Sequence, residues 1–149
     1  MKQLVAAVAV LVALVFLSGP VDAQEYLCVP DLATGFTFRD NAWTSAKFKV
    51  EGQYLIAPSS RPDRAFGVTK IGEGSEFARC ELDFNEPGFL FCEGLGVELK
   101  FNRANGRFLR VDNIGYLNVL PEVNDITDQT SDTPVIEIGK CSPLPPRGR

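Results

Sequence analysis

Apolar residues recur along this chain in short runs divided by turn residues, and no long stretch has the apolar spacing of a helix. The pattern predicts an all-β fold with at most a single helical turn near residues 41–46. The predicted strands, some short enough to merge, cover residues 26–29, 35–39, 47–50, 53–57, 66–71, 77–84, 89–93, 97–102, 107–113, 116–119 and 134–139.

The turn sequence at residues 85–88 determines how its flanking strands pair. Folding the chain about it sets Cys80 opposite Cys92 and Leu82 opposite Leu90, which makes one face continuously apolar. Opposed residues in a non-hydrogen-bonded antiparallel pair come close enough for a disulfide. The pattern therefore predicts a bridge between Cys80 and Cys92.

The remaining cysteines, Cys28 and Cys141, then form a second bridge that joins the first strand to the last. Such a tie favours a small antiparallel barrel, with a β-sandwich as the alternative, because either fold protects edge strands. An even number of cysteines is also typical of exported proteins with paired thiols.

The same alternation predicts the next two hairpins. A four-residue connection at residues 93–96 sets Val97 opposite Cys92, and a three-residue loop in the following hairpin sets Phe101 opposite Leu109. In the register of the second hairpin, side chains of the same charge lie directly opposite each other on the outer face of the sheet, which is unfavourable. A shift of the pairing by two residues would relieve this opposition.

The face opposite Cys80 gathers aromatic rings among charged side chains. Exposed together, such rings form an apolar patch of the kind that binds a partner or ligand. The alternative is that another strand, or the segment around Trp43, covers them. The candidate binding residues on this face are Phe89, Phe91, Phe108, Arg79 and Lys100.

Residues 1–23 have the features of a cleavable signal peptide. Lys2 precedes an apolar run at residues 4–17, and small residues lead to a cleavage site after Ala23. A retained anchor is the competing interpretation, but the run is shorter than the roughly 20 residues that span a bilayer as a helix. We therefore expect an exported protein.

Residues 24–141 have the length of one all-β domain, and the Pro-rich residues 142–149 are expected to form a flexible tail. The net charge is −4 at pH 7, and no cluster of basic residues is present in the sequence. This charge argues against nucleic acid and anionic lipid as partners. We expect no membrane span after the signal peptide is removed.

The chain contains no histidine, which removes the most common general base and transition-metal ligand. Paired cysteines would exclude thiol chemistry as well. A hydrolase that works with two carboxylates remains a hypothesis, through residues such as Glu81, Asp83, Glu93 and Glu98. Because no acid and base can be named from the sequence, we do not expect an enzyme.

Oxygen ligands of the kind that calcium requires cluster at residues 122–132. Their spacing fits no calcium-loop pattern, and the same residue types build ordinary loops. A solvated loop is the favoured interpretation and calcium binding the alternative. We predict no metal site and no cofactor.

Two groups of residues in the mature chain carry a resemblance. The first group is Tyr26, Leu27, Cys28, Val29, Pro30, Asp31, Ala33, Thr34, Gly35, Phe36, Trp43, Phe48 and Tyr54, and the second covers residues 105–108, 114–116, 132–134 and 136–144. On these residues the chain resembles an uncharacterised family of small exported proteins of Gram-negative bacteria with four cysteines. The resemblance implies a periplasmic or secreted protein and carries over no site.

Three functional hypotheses follow from these patterns. The first is a noncatalytic periplasmic or secreted binding module for a protein or glycan. The second is a carboxylate-dependent hydrolase of envelope glycans, and the third is a structural or stress protein without a small ligand. Exposure of the face that carries Phe89, Phe91 and Phe108 favours the binding module over the structural protein. A cleft lined by carboxylates favours the hydrolase.

Overall fold

A computed structural model describes residues 24–50, 52–113, 116 and 133–146, which form nine strands. The predicted signal peptide, most of the predicted strand at residues 116–119 and the acidic stretch up to residue 132 lie outside the described residues. The strands are β1 Tyr26–Arg39, β2 Ala42–Phe48, β3 Tyr54–Pro58, β4 Phe66–Lys70, β5 Glu76–Cys80, β6 Phe89–Gly94, β7 Val97–Asn102, β8 Arg107–Asp112 and β9 Val135–Pro143.

Eight of the strands form a closed antiparallel barrel. They follow one another around it in chain order, from β1 through β3 to β9, and β9 returns to pair with β1. The remaining strand, β2, forms a hairpin with the second half of β1. The predicted all-β fold is confirmed, and its architecture is the barrel rather than the sandwich.

The first hairpin differs from the prediction. β1 merges the predicted strands at residues 26–29 and 35–39. No helical turn forms at residues 41–46, where residue 41 belongs to the hairpin turn and residues 42–46 to β2. Asp40 and Asn41 have φ angles of 52° and 60°. Two consecutive positive φ angles are typical of a tight hairpin turn, and these residue types tolerate them better than most.

The last strand runs further than predicted. β9 continues to Pro143, and the N–H of Leu144 donates to the carbonyl of Glu25. The side-chain amide of Gln24 donates to the carbonyl of Leu144 at 2.6 Å. The sheet therefore extends past residue 141 into the predicted tail.

One of the three registers predicted from alternation is confirmed. The backbone of Arg79 pairs with that of Glu93, which is the predicted alignment of β5 with β6 at the two cysteines. The predicted pairing of Leu82 with Leu90 is wrong, because β5 ends at Cys80 and Leu82 is 80% exposed.

The prediction for β6 and β7 is wrong by two residues, because a two-residue turn joins them in place of the four-residue connection. Val97 consequently lies opposite Gly94 rather than Cys92.

The predicted hairpin between β7 and β8 is wrong by one residue. Phe101 pairs with Phe108 rather than with Leu109, because the loop contains four residues, 103–106. A one-residue shift exchanges the inner and outer faces of a strand. Phe108 and Arg110 therefore face the interior, and the like charges of the predicted register do not oppose each other.

Both predicted disulfides are present, one between Cys28 and Cys141 and one between Cys80 and Cys92. All four cysteines are buried in the core, and none of them is free. Paired and buried sulfur cannot act as a nucleophile. Thiol chemistry is therefore excluded for this oxidised form.

The barrel interior differs between its two ends. At the end where β1 begins, the rings of Tyr26, Phe66, Phe84 and Phe101 are in contact, with centroids 4.9 to 5.7 Å apart. These edge-to-face contacts fill the interior with apolar groups. Charged side chains enter the interior at the opposite end.

Candidate functional site

A groove opens on the outer surface where β5 and β6 part. The two strands pair at a single position, Arg79 with Glu93. The chain rejoins β6 at Asn85, whose N–H donates to the Phe89 carbonyl at 3.0 Å and whose side-chain oxygen accepts the Phe89 N–H at 2.9 Å. Residues 81–84, which we call the arc, leave the sheet between these points, and residues 81–83 form one wall of the groove.

Two anchors fix the arc to the barrel core. The disulfide between Cys80 and Cys92 ties the start of the arc to β6. Near its end, the ring of Phe84 lies 5.5 Å from that of Phe66 and 5.7 Å from that of Phe101. A surface held in place before a partner arrives binds with a smaller loss of conformational entropy.

Two phenylalanines form the floor of the groove. Phe89 and Phe91 are 37% and 52% exposed, and their ring centroids lie 6.2 Å apart with the planes inclined by 24°. They face outward because alternate residues of a strand point to opposite sides, and Leu90 and Cys92 face the core. The groove has a volume of about 270 Å³.

Carboxylates border the groove, which we call the phenylalanine groove after its floor. It is lined by Glu81, Leu82, Asp83, Asn85, Phe89, Phe91 and Glu93. Arg79 Nε lies 3.8 Å from a carboxylate oxygen of Glu81. Within the part of the chain that the structure describes, no basic side chain lies within ion-pair distance of Asp83 or Glu93. The groove therefore combines an apolar floor with an acidic rim.

Four of the five predicted binding residues lie on the same outer surface. Phe89 and Phe91 form the floor, and Arg79 is next to it on β5. Lys100 lies directly opposite Phe91 on β7, and its ammonium is 3.0 Å from a carboxylate oxygen of Glu98. Both predicted cations are therefore close to a carboxylate already.

The fifth predicted residue, Phe108, does not belong to this surface. It is 3% exposed and lies in the core, because the β7–β8 shift turns it inward. Gly139 makes room for it, since a Cβ there would lie 2.7 Å from the Phe108 ring. The Trp43 ring packs against Phe38 and Tyr116, at centroid distances of 5.5 and 5.3 Å.

A charged cluster inside the barrel was not predicted. Tyr54 Oη donates to Glu137 Oε2 at 2.5 Å, and the guanidinium of Arg110 donates to Glu137 at 3.2 Å and to Asp112 at 2.7 Å. Glu137 is 6% exposed. Burial, and then the hydrogen bond to Glu137, raise the pKa of Tyr54 well above its usual value.

These contacts give the interior cluster a structural role. The Arg110 guanidinium also lies over the rings of Tyr54 and Phe77, with its carbon 5.5 and 5.6 Å from the centroids. Paired charges and ring contacts offset the cost of removing the guanidinium from water. A signal for the cluster was present, because Cys141 faces inward and alternation then turns Glu137 inward too.

A second apolar surface was also missed. Leu32, Ile138 and Leu109 lie in one row across β1, β9 and β8, and Ile136 lies beside Val111 in the next row. Leu32 and Ile138 are 65% and 46% exposed. This surface is a sheet face of aliphatic side chains, so its chemistry indicates no particular partner.

Comparison with known proteins adds no functional information. No protein-family model, curated protein or solved structure matches the chain. Across the described residues, no helix is long and apolar enough to cross a membrane. In the same residues, no group of three or more potential metal ligands comes together.

Proposed function

We propose that this protein is a noncatalytic periplasmic or secreted binding module that holds a basic segment of a partner protein in the phenylalanine groove. The observation that carries this proposal is the pair of exposed, stacked rings of Phe89 and Phe91, which form the floor of a groove beside the anchored arc. Aromatic side chains, phenylalanine among them, are enriched in the cores of protein interfaces. The acidic rim favours a cationic partner over an anionic glycan.

The covalent framework supports an exported protein. Two disulfides in a small domain persist in oxidising compartments and are rare in the cytosol. The signal-like residues 1–23 agree with that environment. We propose the periplasm or the extracellular space as the site of action.

Selection of random peptides displayed on phage, with the oxidised chain as bait, tests the binding function. We expect peptides that bind the unchanged protein and bind a Phe91→Ser variant at least about tenfold more weakly. A Phe36→Ser variant is the matched control, because Phe36 is 53% exposed on β1, away from the groove. Both substitutions should leave the unfolding free energy within about 0.5 kcal/mol of the parent.

Two outcomes would overturn the proposed function. One is that no peptide is enriched, or that the enriched peptides bind the Phe91→Ser variant as well as the parent. The other is that a parallel array of neutral and charged oligosaccharides shows binding that depends on Phe91 while peptides do not bind. In the second case the partner would be a glycan.

A hydrolase of envelope glycans is the second candidate, because three of the four nominated carboxylates, Glu81, Asp83 and Glu93, line one groove. Two carboxylates can cleave glycosidic bonds when they flank the scissile bond. Incubation with peptidoglycan fragments, followed by assay of new reducing ends, tests this candidate. We expect no product, and product that disappears in a Glu93→Gln variant would establish the hydrolase instead.

A further inference from the structure

We infer that an arginine side chain anchors the partner, with its guanidinium stacked on Phe91 and paired with the carboxylates of Asp83 and Glu93. The inference rests on the proposed function of the groove and names the group that it recognises. Three features of the described residues support it: the exposed ring, the two carboxylates and an existing contact between an arginine and a phenylalanine ring in the same protein.

The ring of Phe91 provides the stacking surface. The face of an aromatic ring attracts cations, and a planar guanidinium stacks on it in a way that a compact ammonium cannot. Phe91 is the more exposed of the two floor residues, and the ring of Phe89 lies nearly parallel beside it. Phe89 thus offers an apolar surface to the methylene groups of the same arginine.

The two carboxylates come from different elements around this floor. Asp83 belongs to the arc and Glu93 to β6, and both line the groove. One oxygen of Asp83 accepts the N–H of Phe84 at 2.6 Å, which orients the carboxylate and leaves its second oxygen available. The five donors of a guanidinium can engage both carboxylates, whereas a lysine has one nitrogen to share.

The protein already contains a contact between an arginine and a phenylalanine ring, at the apolar end of the barrel rather than in the groove. The guanidinium carbon of Arg103 lies 4.8 Å from the centroid of the Phe84 ring, which belongs to the arc. The net charge of −4 also attracts cationic groups over longer distances. The groove offers a partner's arginine the same ring contact, together with two carboxylates.

Two small probes that differ in charge test whether the groove recognises the positive charge of a guanidinium. Nα-acetyl-arginine amide and Nα-acetyl-citrulline amide have nearly the same shape, but only the first is cationic. They are titrated into the full oxidised chain while the backbone amide signals of Asp83, Phe91 and Glu93 are followed by NMR. We expect arginine to shift these signals saturably and citrulline to bind about tenfold more weakly, with Nα-acetyl-lysine amide between them.

Variants assign the effect to the groove. Glu93→Gln should lower the arginine affinity towards that of citrulline, and added salt should act in the same direction. Glu73→Gln is the control, because Glu73 is an exposed carboxylate paired with Lys70 outside the groove. In this control the arginine affinity should not change.

The two proposals fail in different ways. Equal binding of arginine and citrulline, or no shift of the groove signals by either probe, would overturn arginine recognition while peptides that depend on Phe91 would still support a binding groove. Tighter binding of the lysine probe would likewise overturn the choice of arginine. Loss of both probe shifts and Phe91-dependent peptides would remove the binding function itself.

Discussion

The two strand junctions that carry disulfides are built in opposite ways. The barrel closes where β1 meets β9, a junction that we call the seam. There the two strands pair along nine residue pairs, and the bond between Cys28 and Cys141 lies within that ladder. At the groove, β5 and β6 pair at one position beside the bond between Cys80 and Cys92. The same covalent link thus accompanies a long ladder with one irregularity in one place and a single pair in the other.

This difference separates two uses of a disulfide. At the seam, the bond adds to backbone hydrogen bonds that already join the strands, so its main effect is on the unfolded chain. At the groove, the bond joins two strands that pair at a single position, so we expect the bond to determine the shape of the phenylalanine groove. Stability should respond more to the first bond and binding more to the second.

The largest effect on stability is expected from Cys28→Ser combined with Cys141→Ser. The bond spans 113 residues of sequence, and opening so long a loop should lower the unfolding free energy by about 4 to 5 kcal/mol. Urea unfolding of the oxidised protein measures this change. A loss below that of the groove disulfide would contradict the comparison.

Cys80→Ser combined with Cys92→Ser should have a smaller effect on stability and a larger one on binding. The bond spans 12 residues, so the expected loss is about 3 kcal/mol. Release of the arc should also abolish the peptide binding that depends on Phe91, under conditions where the variant is folded. Unchanged peptide affinity would show that the bond does not shape the groove.

A third test concerns the interior near the seam, where Glu137 pairs with Arg110 in the barrel. Glu137→Gln should cost about 2 kcal/mol, because it leaves a largely buried guanidinium with Asp112 as its remaining carboxylate. Glu98→Gln is the control, since Glu98 forms an exposed pair with Lys100 and should cost less than about 1 kcal/mol. Equal urea midpoints would contradict the role of the cluster.

The smallest expected effect is a pH dependence at alkaline pH. Because burial raises the pKa of Tyr54 in the folded state, the unfolded chain loses this proton first, above pH of about 10. The stabilisation by neutral Tyr54 is complete below that pH and is lost as pH rises, by up to about 1.4 kcal/mol per pH unit. Urea unfolding between neutral and alkaline pH should show a shallower decline for Tyr54→Phe, and equal slopes would contradict this assignment.

Much of the fold could be predicted because alternation and cysteine positions constrain each other. Cys80 and Cys92 fixed the alignment of β5 with β6 correctly. The next two registers failed at their turns, where loop length decides the pairing. Gly96 has a φ of 67°, which suits a two-residue turn that alternation alone does not reveal.

The candidate site was predicted in part for the same reason. Phe89 and Phe91 were placed correctly because their strand was aligned by a disulfide. Phe108 was placed on the wrong face because the pairing of its strand was predicted by matching apolar residues. That matching put Leu109 in the interior and Arg110 outside. Arg110 is tolerated in the interior through Glu137, a partner 27 residues away that no local pattern contains.

The barrel closes because its last strand, β9, pairs with its first, β1. Leu144 contacts both Gln24 and Glu25 through hydrogen bonds, so the two ends of the barrel-forming segment lie side by side. Because the strands follow one another around the ring in chain order, a short linker could join these ends. New termini opened at the Leu95–Gly96 turn would leave every strand with its present neighbours. The fold therefore does not depend on where in the ring the chain begins and ends.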